Sequence, residues 1–376
     1  MTTTARSDAT LTTGVPMLDL GYQNRQVADE VAEGFARVID ANEFILGSDV
    51  AAFERQYAAY LHVDHVVGVG NGTDALVLAL RAAGIGRGDE VVLPTNTFVA
   101  TAEAVALVGG VIRFVDCGPD YLLDVDALGA AVSNATRAVI AVHLYGQVAP
   151  VERIRGIVGD DVVIVEDAAQ SQGARSGDRW AGALGDVAAT SFYPGKNLGA
   201  FGDAGAVMTG SAAIADRVRA LRNHGGLRKY EHTEIGTNSR LDSLQAVVLN
   251  AKLARLDGWN DERRAIAARY TEALADVDRV TAPTTTPGVD HVFHQYVVEL
   301  DDRDRVLDGL NAAGIGAGIH YPAPVHLLPA FAEDSPGAGA FPVAERQAGR
   351  IMSLPIYPGL DEGAQARVVE QLVARL

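Results

Sequence analysis

The stretch Val162-Val163-Ile164-Val165-Glu166-Asp167-Ala168-Ala169-Gln170-Ser171 decides the fold. Four β-branched residues in succession show no polar alternation, the pattern of a parallel strand covered on both faces. Two adjacent acids close it. At the end of a wholly apolar strand they do not form a solvated face, and one of them has to point into the pocket beyond the sheet's edge. Outward from here the same text recurs. Strand-like runs at His65–Val69, Glu90–Leu93, Val111–Val115 and Ala138–His143 alternate with helical spacing at Thr73–Ala83, Phe98–Val108, Val125–Val132 and Val151–Val158. On the other side, Val187–Tyr193 and Ala206–Met208 read as strands. This repetition predicts a doubly wound α/β sheet with ligands beyond the C-terminal strand ends.

Helices are expected at Val27–Ile39 and Val50–Leu61 before the sheet, and at 211–223, 240–257 and Asp261–Leu274 after it. Thr281 to Gly288 is a linker by composition. A strand at Val292–Leu300, a helix at Arg303–Ala313, a short strand near Ile319 and helices at 343–350 and 362–375 make a small α+β unit. The expected organisation is a flexible arm at 1–15, a large α/β domain at 16–257 and a small domain at 258–376.

The net charge of −17 disfavours a nucleic-acid partner, and the arginines are scattered among acids. A single cysteine, Cys117, excludes an intrachain disulfide and fits a reducing cytosol. Met1–Gly14 has no apolar stretch for a secretory signal. The longest weakly charged run, Phe98–Val115, holds Glu103 and Arg113, which argues against a membrane span. A soluble cytoplasmic protein is expected.

Chemistry-bearing residues collect at the strand ends. Gly70-Asn71-Gly72-Thr73-Asp74 opens a helix whose free N–H groups suit an anion, with Thr73 able to cap the helix and to donate to a phosphate. Pro94-Thr95-Asn96-Thr97-Phe98 puts an aromatic at a strand mouth, where it packs on a helix or stacks on a planar ring. Asp167 suits a ring nitrogen that must stay protonated; its plain alternative is a cap for a short helix at 168–172, and Glu166 projects the other way to cap the following turn. Ser191-Phe192-Tyr193-Pro194-Gly195-Lys196-Asn197-Leu198-Gly199 sets a lysine on a glycine-rich turn after an apolar strand, where its amine could form a Schiff base with an aldehyde. Asn197 stands where a phosphate-binding P-loop needs Ser or Thr, and the Gly68, Gly70, Gly72 spacing departs from the dinucleotide fingerprint. Lysine, acid, aromatic and helix N-terminus together describe a pyridoxal phosphate site.

At these motifs, and at Asn238-Ser239-Arg240-Leu241-Asp242 and His320-Tyr321-Pro322, the chain resembles the DegT/DnrJ/EryC1/StrS sugar aminotransferases over nearly its whole length. The resemblance implies the aspartate aminotransferase-type fold (fold type I), with a three-layer α/β/α large domain. It implies Lys196 as the Schiff-base lysine, Asp167 on the pyridine nitrogen, Gln170 on the ring hydroxyl and Phe98 on the ring face. Gly72, Thr73 and Ser191 bind the phosphate, with Asn238 reaching in from the second subunit of a homodimer. His320, Tyr321 and Tyr193 are placed near the sugar; for His320 a structural hydrogen-bonding role stands equally. His224 matches a family motif of unassigned role. The implied substrates are L-glutamate and a nucleotide-linked keto-deoxyhexose, bound with help from Arg222, Arg228, Lys229 or Arg240. His143-Leu144-Tyr145-Gly146-Gln147 together with Pro194-Gly195-Lys196-Asn197 resembles relatives that aminate C3 of a dTDP-linked sugar. The alternatives are C4 amination, dehydration as in relatives with histidine at the lysine position, and a non-catalytic regulator that keeps the cofactor as a ligand.

Overall fold

The fold is seen in a computed structural model that describes residues 14–228 and 230–376. Helices α1 (Gly21–Gln26), α2 (Ala28–Ala41) and α3 (Ser48–Leu61) lead into the alternating region. There follow β1 (His65–Val69), α4 (Gly72–Ala82), β2 (Glu90–Pro94), α5 (Val99–Leu107), β3 (Val111–Val115), α6 (Val125–Ala131), β4 (Thr136–Val142), α7 (Val151–Val158) and β5 (Val163–Asp167). Two short strands, β6 (Arg175–Ser176) and β7 (Arg179–Trp180), precede β8 (Val187–Ser191), β9 (Gly205–Thr209) and α8 (Ala212–Leu221).

The seven-stranded sheet has the order β1-β9-β8-β5-β4-β2-β3. It is parallel from β3 across to β8, and β9 runs antiparallel between β8 and β1. The absence of polar alternation has the expected cause: both faces are buried. Val165, Ile140 and Leu93 enter one core and Ile164, Val139 and Val92 another, as the two-residue period of a strand requires.

The chain continues through α9 (Ser243–Leu253) and α10 (Leu256–Leu274). The single helix expected over 240–257 is therefore two elements, broken at Ala254 and Arg255. Next come β10 (Val280–Thr281), β11 (Val289–Asp290), β12 (Tyr296–Leu300), α11 (Arg303–Ala312), α12 (Pro342–Ala348), β13 (Ile351–Leu354) and α13 (Glu362–Val373). β10, β12 and β13 form a small sheet. Its core includes Tyr270, Val298, Leu310, Met352 and Leu372.

Three expectations change here. The strand expected from Val292 begins at Tyr296, because Val292 is drawn against the large sheet's loops by its N–H bond to the Gly146 carbonyl at 3.0 Å. The strand expected near Ile319 is a lone bridge between Gly318 and Ser353, and β13 was not foreseen. Of the expected arm, residues 1–13 lie outside the described residues, whereas Val15 is buried and its N–H bonds the Gly314 carbonyl at 2.8 Å. We propose the division into a large unit to residue 257 and a small one from 258. That boundary falls in the first turn of α10, which carries Leu256 in one core and Ile266 and Tyr270 in the other. Among the described residues no helix is long and apolar enough to cross a membrane.

Candidate active site

The C-terminal ends of β5 and β8 and the N-terminus of α4 open into one cavity of about 560 Å³. Gly72, Thr73, Phe98, Asp167, Gln170, Ser191, Tyr193, Lys196, His320 and Tyr321 all line it. Residues as far apart in the chain as Gly72 and Tyr321 thus line one cavity.

The anion end is built from backbone. α4 begins at Gly72, and its cap is Asn71, whose Oδ1 accepts the Asp74 N–H at 2.8 Å. The expected capping role of Thr73 is thereby corrected: Thr73 sits inside the first turn, its hydroxyl free of that duty. The N–H groups of Gly72 and Thr73 have no partner among the described residues, as the first donors of a helix do not. Ser191 closes this end from β8. A Cβ on Gly72 would stand 2.6 Å from Ser191 Cβ, so only glycine lets the helix end approach this closely.

Asp167 is buried at the end of β5. Its Oδ2 accepts from Thr101 Oγ1 at 2.7 Å and its Oδ1 from the Ala169 N–H at 3.2 Å. No helix forms at 168–172; the chain turns there, so the helix-cap alternative for Asp167 does not hold. Glu166, one residue earlier, faces the opposite side and is fully buried. It accepts from His143 Nε2 at 2.8 Å and from the N–H groups of Gly182, Leu184 and Gly185, each at 2.7 Å. The turn it satisfies is therefore the distant 182–185 segment, a correction to the local cap expected of it. Burial alone would raise its pKa, but the bonds from His143 and the backbone outweigh that and hold it below the usual carboxylate value.

Lys196 sits on a closed loop: its N–H bonds the Tyr193 carbonyl, and Ala200 N–H the Phe192 carbonyl, both at 2.8 Å. Burial lowers its pKa to about 8, with Asp167 pulling the other way. A good part of the amine is unprotonated in mildly alkaline solution, as a nucleophile needs. Gln170 is held by the Tyr145 N–H on Oε1 at 2.7 Å and gives Nε2 to Tyr321 Oη at 3.1 Å. Phe98 is 49% exposed at the cavity mouth, its ring 5.4 Å from that of Tyr321. His320 bonds Ser353 Oγ through Nδ1 at 2.8 Å and accepts from Tyr145 Oη at its carbonyl; burial and the nearby Lys196 lower its pKa.

Asn238 does not line this cavity; it is exposed and bridges Asn223. Nor do the three described cations expected for anionic substrates. Arg222 is buried against Glu54 at 2.7 Å, Arg240 bonds Asn223 Oδ1 at 3.2 Å, and Arg228 is exposed beside Glu231. Lys229 lies outside the described residues. His224 is exposed, with φ of 60°. The cavity wall also contains His143, from a motif quoted in the sequence, and Arg263, His294 and Asp203, none of which was singled out there. His294 and Arg263 come from the far end of the chain, and no local pattern marks them.

A protein-bound amine of lowered basicity, a buried carboxylate and a bare helix N-terminus around one cavity define a pyridoxal phosphate-type site on an α/β sheet, and the donor set fits that cofactor. Residues 25–373 match the DegT/DnrJ/EryC1/StrS aminotransferase family, and the chain belongs to it. It is 45% identical over 358 residues to dTDP-3-amino-3,4,6-trideoxy-alpha-D-glucose transaminase of Streptomyces venezuelae, covering 95% of this chain and 94% of that one. The structure of S. venezuelae DesV in complex with a ketimine intermediate superimposes with a TM-score of 0.94 at 44% identity, covering 96% of this chain and 98% of that one. NtdA from Bacillus subtilis with bound cofactor PMP gives 0.88 at 30% identity, covering 96% of this chain and 85% of that one.

Proposed function

We propose that the chain is a pyridoxal phosphate-dependent aminotransferase that moves the amino group of L-glutamate to C3 of a dTDP-linked keto-deoxyhexose. The observation that carries this is the single cavity in which Lys196, Asp167 and the α4 N-terminus converge. The choice of C3 and of dTDP rests on the 45% and 43% identical transaminases that are named for dTDP-3-amino-trideoxyglucose.

When bound, pyridoxal phosphate supplies the carbonyl that carries nitrogen between the substrates and the ring that accepts electrons. The chain's residues do the rest. Gly72, Thr73 and Ser191 hold the phosphate, and Phe98 covers the ring face. Asp167 keeps a proton at the ring nitrogen, its own position fixed by Thr101. Gln170 reaches the ring hydroxyl from its anchor on Tyr145. Lys196 would hold the cofactor through Nζ, and that Nζ, when free, would accept a proton from the donor's α-carbon and give one to the sugar carbon. His320, Tyr321 and Tyr193 line the mouth through which the sugar enters. Asn238 completes the phosphate site of a partner subunit in a homodimer, a reading supported by its exposed position outside its own cavity.

The test is to incubate purified protein and L-glutamate with 3-keto and 4-keto dTDP-6-deoxyhexoses and to identify the product by mass and NMR. A 3-amino sugar is expected. Amination at C4 would overturn the positional assignment, and no turnover with any acceptor, despite bound cofactor, would favour the regulatory alternative.

A further inference from the structure

We propose that Thr97 is a positioning residue of this site: acting through the Thr101 hydroxyl, it holds Asp167 as the charged acceptor of the cofactor's ring N–H. The inference rests on the reading of Asp167 as the partner of that ring nitrogen.

Two contacts build the chain. Thr97 Oγ1 lies 2.7 Å from Thr101 Oγ1, and Thr101 Oγ1 lies 2.7 Å from Asp167 Oδ2. All three side chains are buried, and Thr97 and Asp167 both line the cavity. The direction of the first bond follows from counting protons. A hydroxyl has one proton, and an ionised carboxylate has none to give. Thr101 therefore spends its proton on Asp167 and has only lone pairs to offer Thr97. Thr97 is the donor, and the chain runs one way, from Thr97 through Thr101 to the carboxylate. Among the described residues neither hydroxyl makes another hydrogen bond, so both are satisfied only by ending on Asp167.

The start of α5 creates this arrangement. Thr97 stands just ahead of the helix and Thr101 in its first turn, where its N–H bonds the Phe98 carbonyl at 3.2 Å. The segment that carries Phe98 to the cavity mouth thus carries both hydroxyls, and β5 brings Asp167 to them from 66 residues away. A hydroxyl that accepts a hydrogen bond is a stronger donor, and a donor on a carboxylate oxygen favours the charged form. With Thr101 on Oδ2 and the Ala169 N–H on Oδ1, both oxygens are fixed and each keeps acceptor capacity. A ring N–H bonded to such a carboxylate keeps its proton on nitrogen, the form in which the ring accepts electrons.

The test reads the nitrogen-15 resonance of the ring nitrogen in holoprotein loaded with labelled pyridoxal phosphate, and the cofactor's Kd from titration of the apoprotein. Free cofactor in acid and in alkali marks the protonated and unprotonated positions. Thr97→Val keeps the shape and removes the hydroxyl. Its resonance should move part of the way toward the unprotonated position, and Kd should rise about two- to fivefold. Thr101→Val should move the resonance further, and Thr97→Ser should return both readings to the wild type. The double valine variant should coincide with Thr101→Val alone, because Thr97 then has nothing to act through. A merely structural role for Thr97 predicts an additive loss of binding with the resonance unmoved. Melting curves establish which variants are folded; should a valine variant not be, the alanine variants carry the same comparison. An unmoved resonance in either single variant, or a further shift in the double one, would overturn the proposal. Failure of the underlying reading looks different: Asp167→Asn would then leave the resonance at its wild-type position.

Discussion

Glu166 and Asp167 are neighbours in one strand, carry the same functional group and are both buried, yet they do opposite work. The two-residue period of β5 turns them to opposite faces. Glu166 follows Ile164 into a sealed interior, where four donors saturate it. Asp167 follows Val165 to the cavity side, where it keeps a single side-chain donor, Thr101, besides the Ala169 N–H. A carboxylate whose acceptor sites are filled by the protein holds structure together. One with capacity left, facing a cavity, is available to a ligand. His143 completes the contrast: its Nδ1 accepts the Ala149 N–H at 2.9 Å, so Nε2 carries the proton given to Glu166.

The largest effect is expected on the cavity side, at the residue Asp167 serves. Lys196→Ala should lose the cofactor's absorbance band and lower turnover at least about a thousandfold. An unchanged spectrum would dissolve the distinction between the two faces. Next come the acids themselves. Glu166→Gln places an amide N–H against the donors of Gly182 or His143, and denaturant unfolding should show a loss of about 3 to 5 kcal/mol. Asp167→Asn should change stability by no more than about 1 kcal/mol while turnover falls about a hundredfold or more. Equal stability losses in the two variants would erase the comparison.

A pH experiment sharpens it. Glu166 is held below its unfolded value of about 4.3, so its stabilisation is fully present above that pH and is lost as pH falls through the lower folded value. Melting temperature should drop between about pH 4.3 and lower values in the wild type, and Glu166→Gln should flatten part of that drop. A profile unaltered by the substitution would remove Glu166 from its central place. The smallest effect is expected at Phe98, half exposed at the mouth. Phe98→Ala should leave stability within about 0.5 kcal/mol and weaken cofactor binding about two- to tenfold, as loss of one stacking face implies, measured by titration of the apoprotein.

The sheet was legible because both faces of its central strands are buried, so β2, β4, β5, β8 and β9 read as mainly apolar runs bounded by turns. Legible too were the residues at its strand ends, because one short loop carries each of them to the same edge. What stayed hidden depends on distant pairing. Glu166 looked like a local cap because its real partners lie 16 to 19 residues on and at His143. Asn197 was noticed only for excluding a phosphate loop, although it joins the lysine turn to His294, 97 residues away. β13 escaped because its four residues, Ile351 to Leu354, carry too short a period to separate strand from helix end. The described cations lie outside the chain's own cavity for a related reason. Arg222 looked available in sequence, and only the fold shows Glu54 beside it.

The central claim is that Lys196, and no other lysine, holds the cofactor. Borohydride reduction of the holoprotein, followed by proteolysis and mass mapping, tests it directly. The account predicts one modified peptide, containing Ser191 to Gly199 with the added pyridoxyl mass on Lys196. A label on another lysine, or none despite bound cofactor, would contradict it.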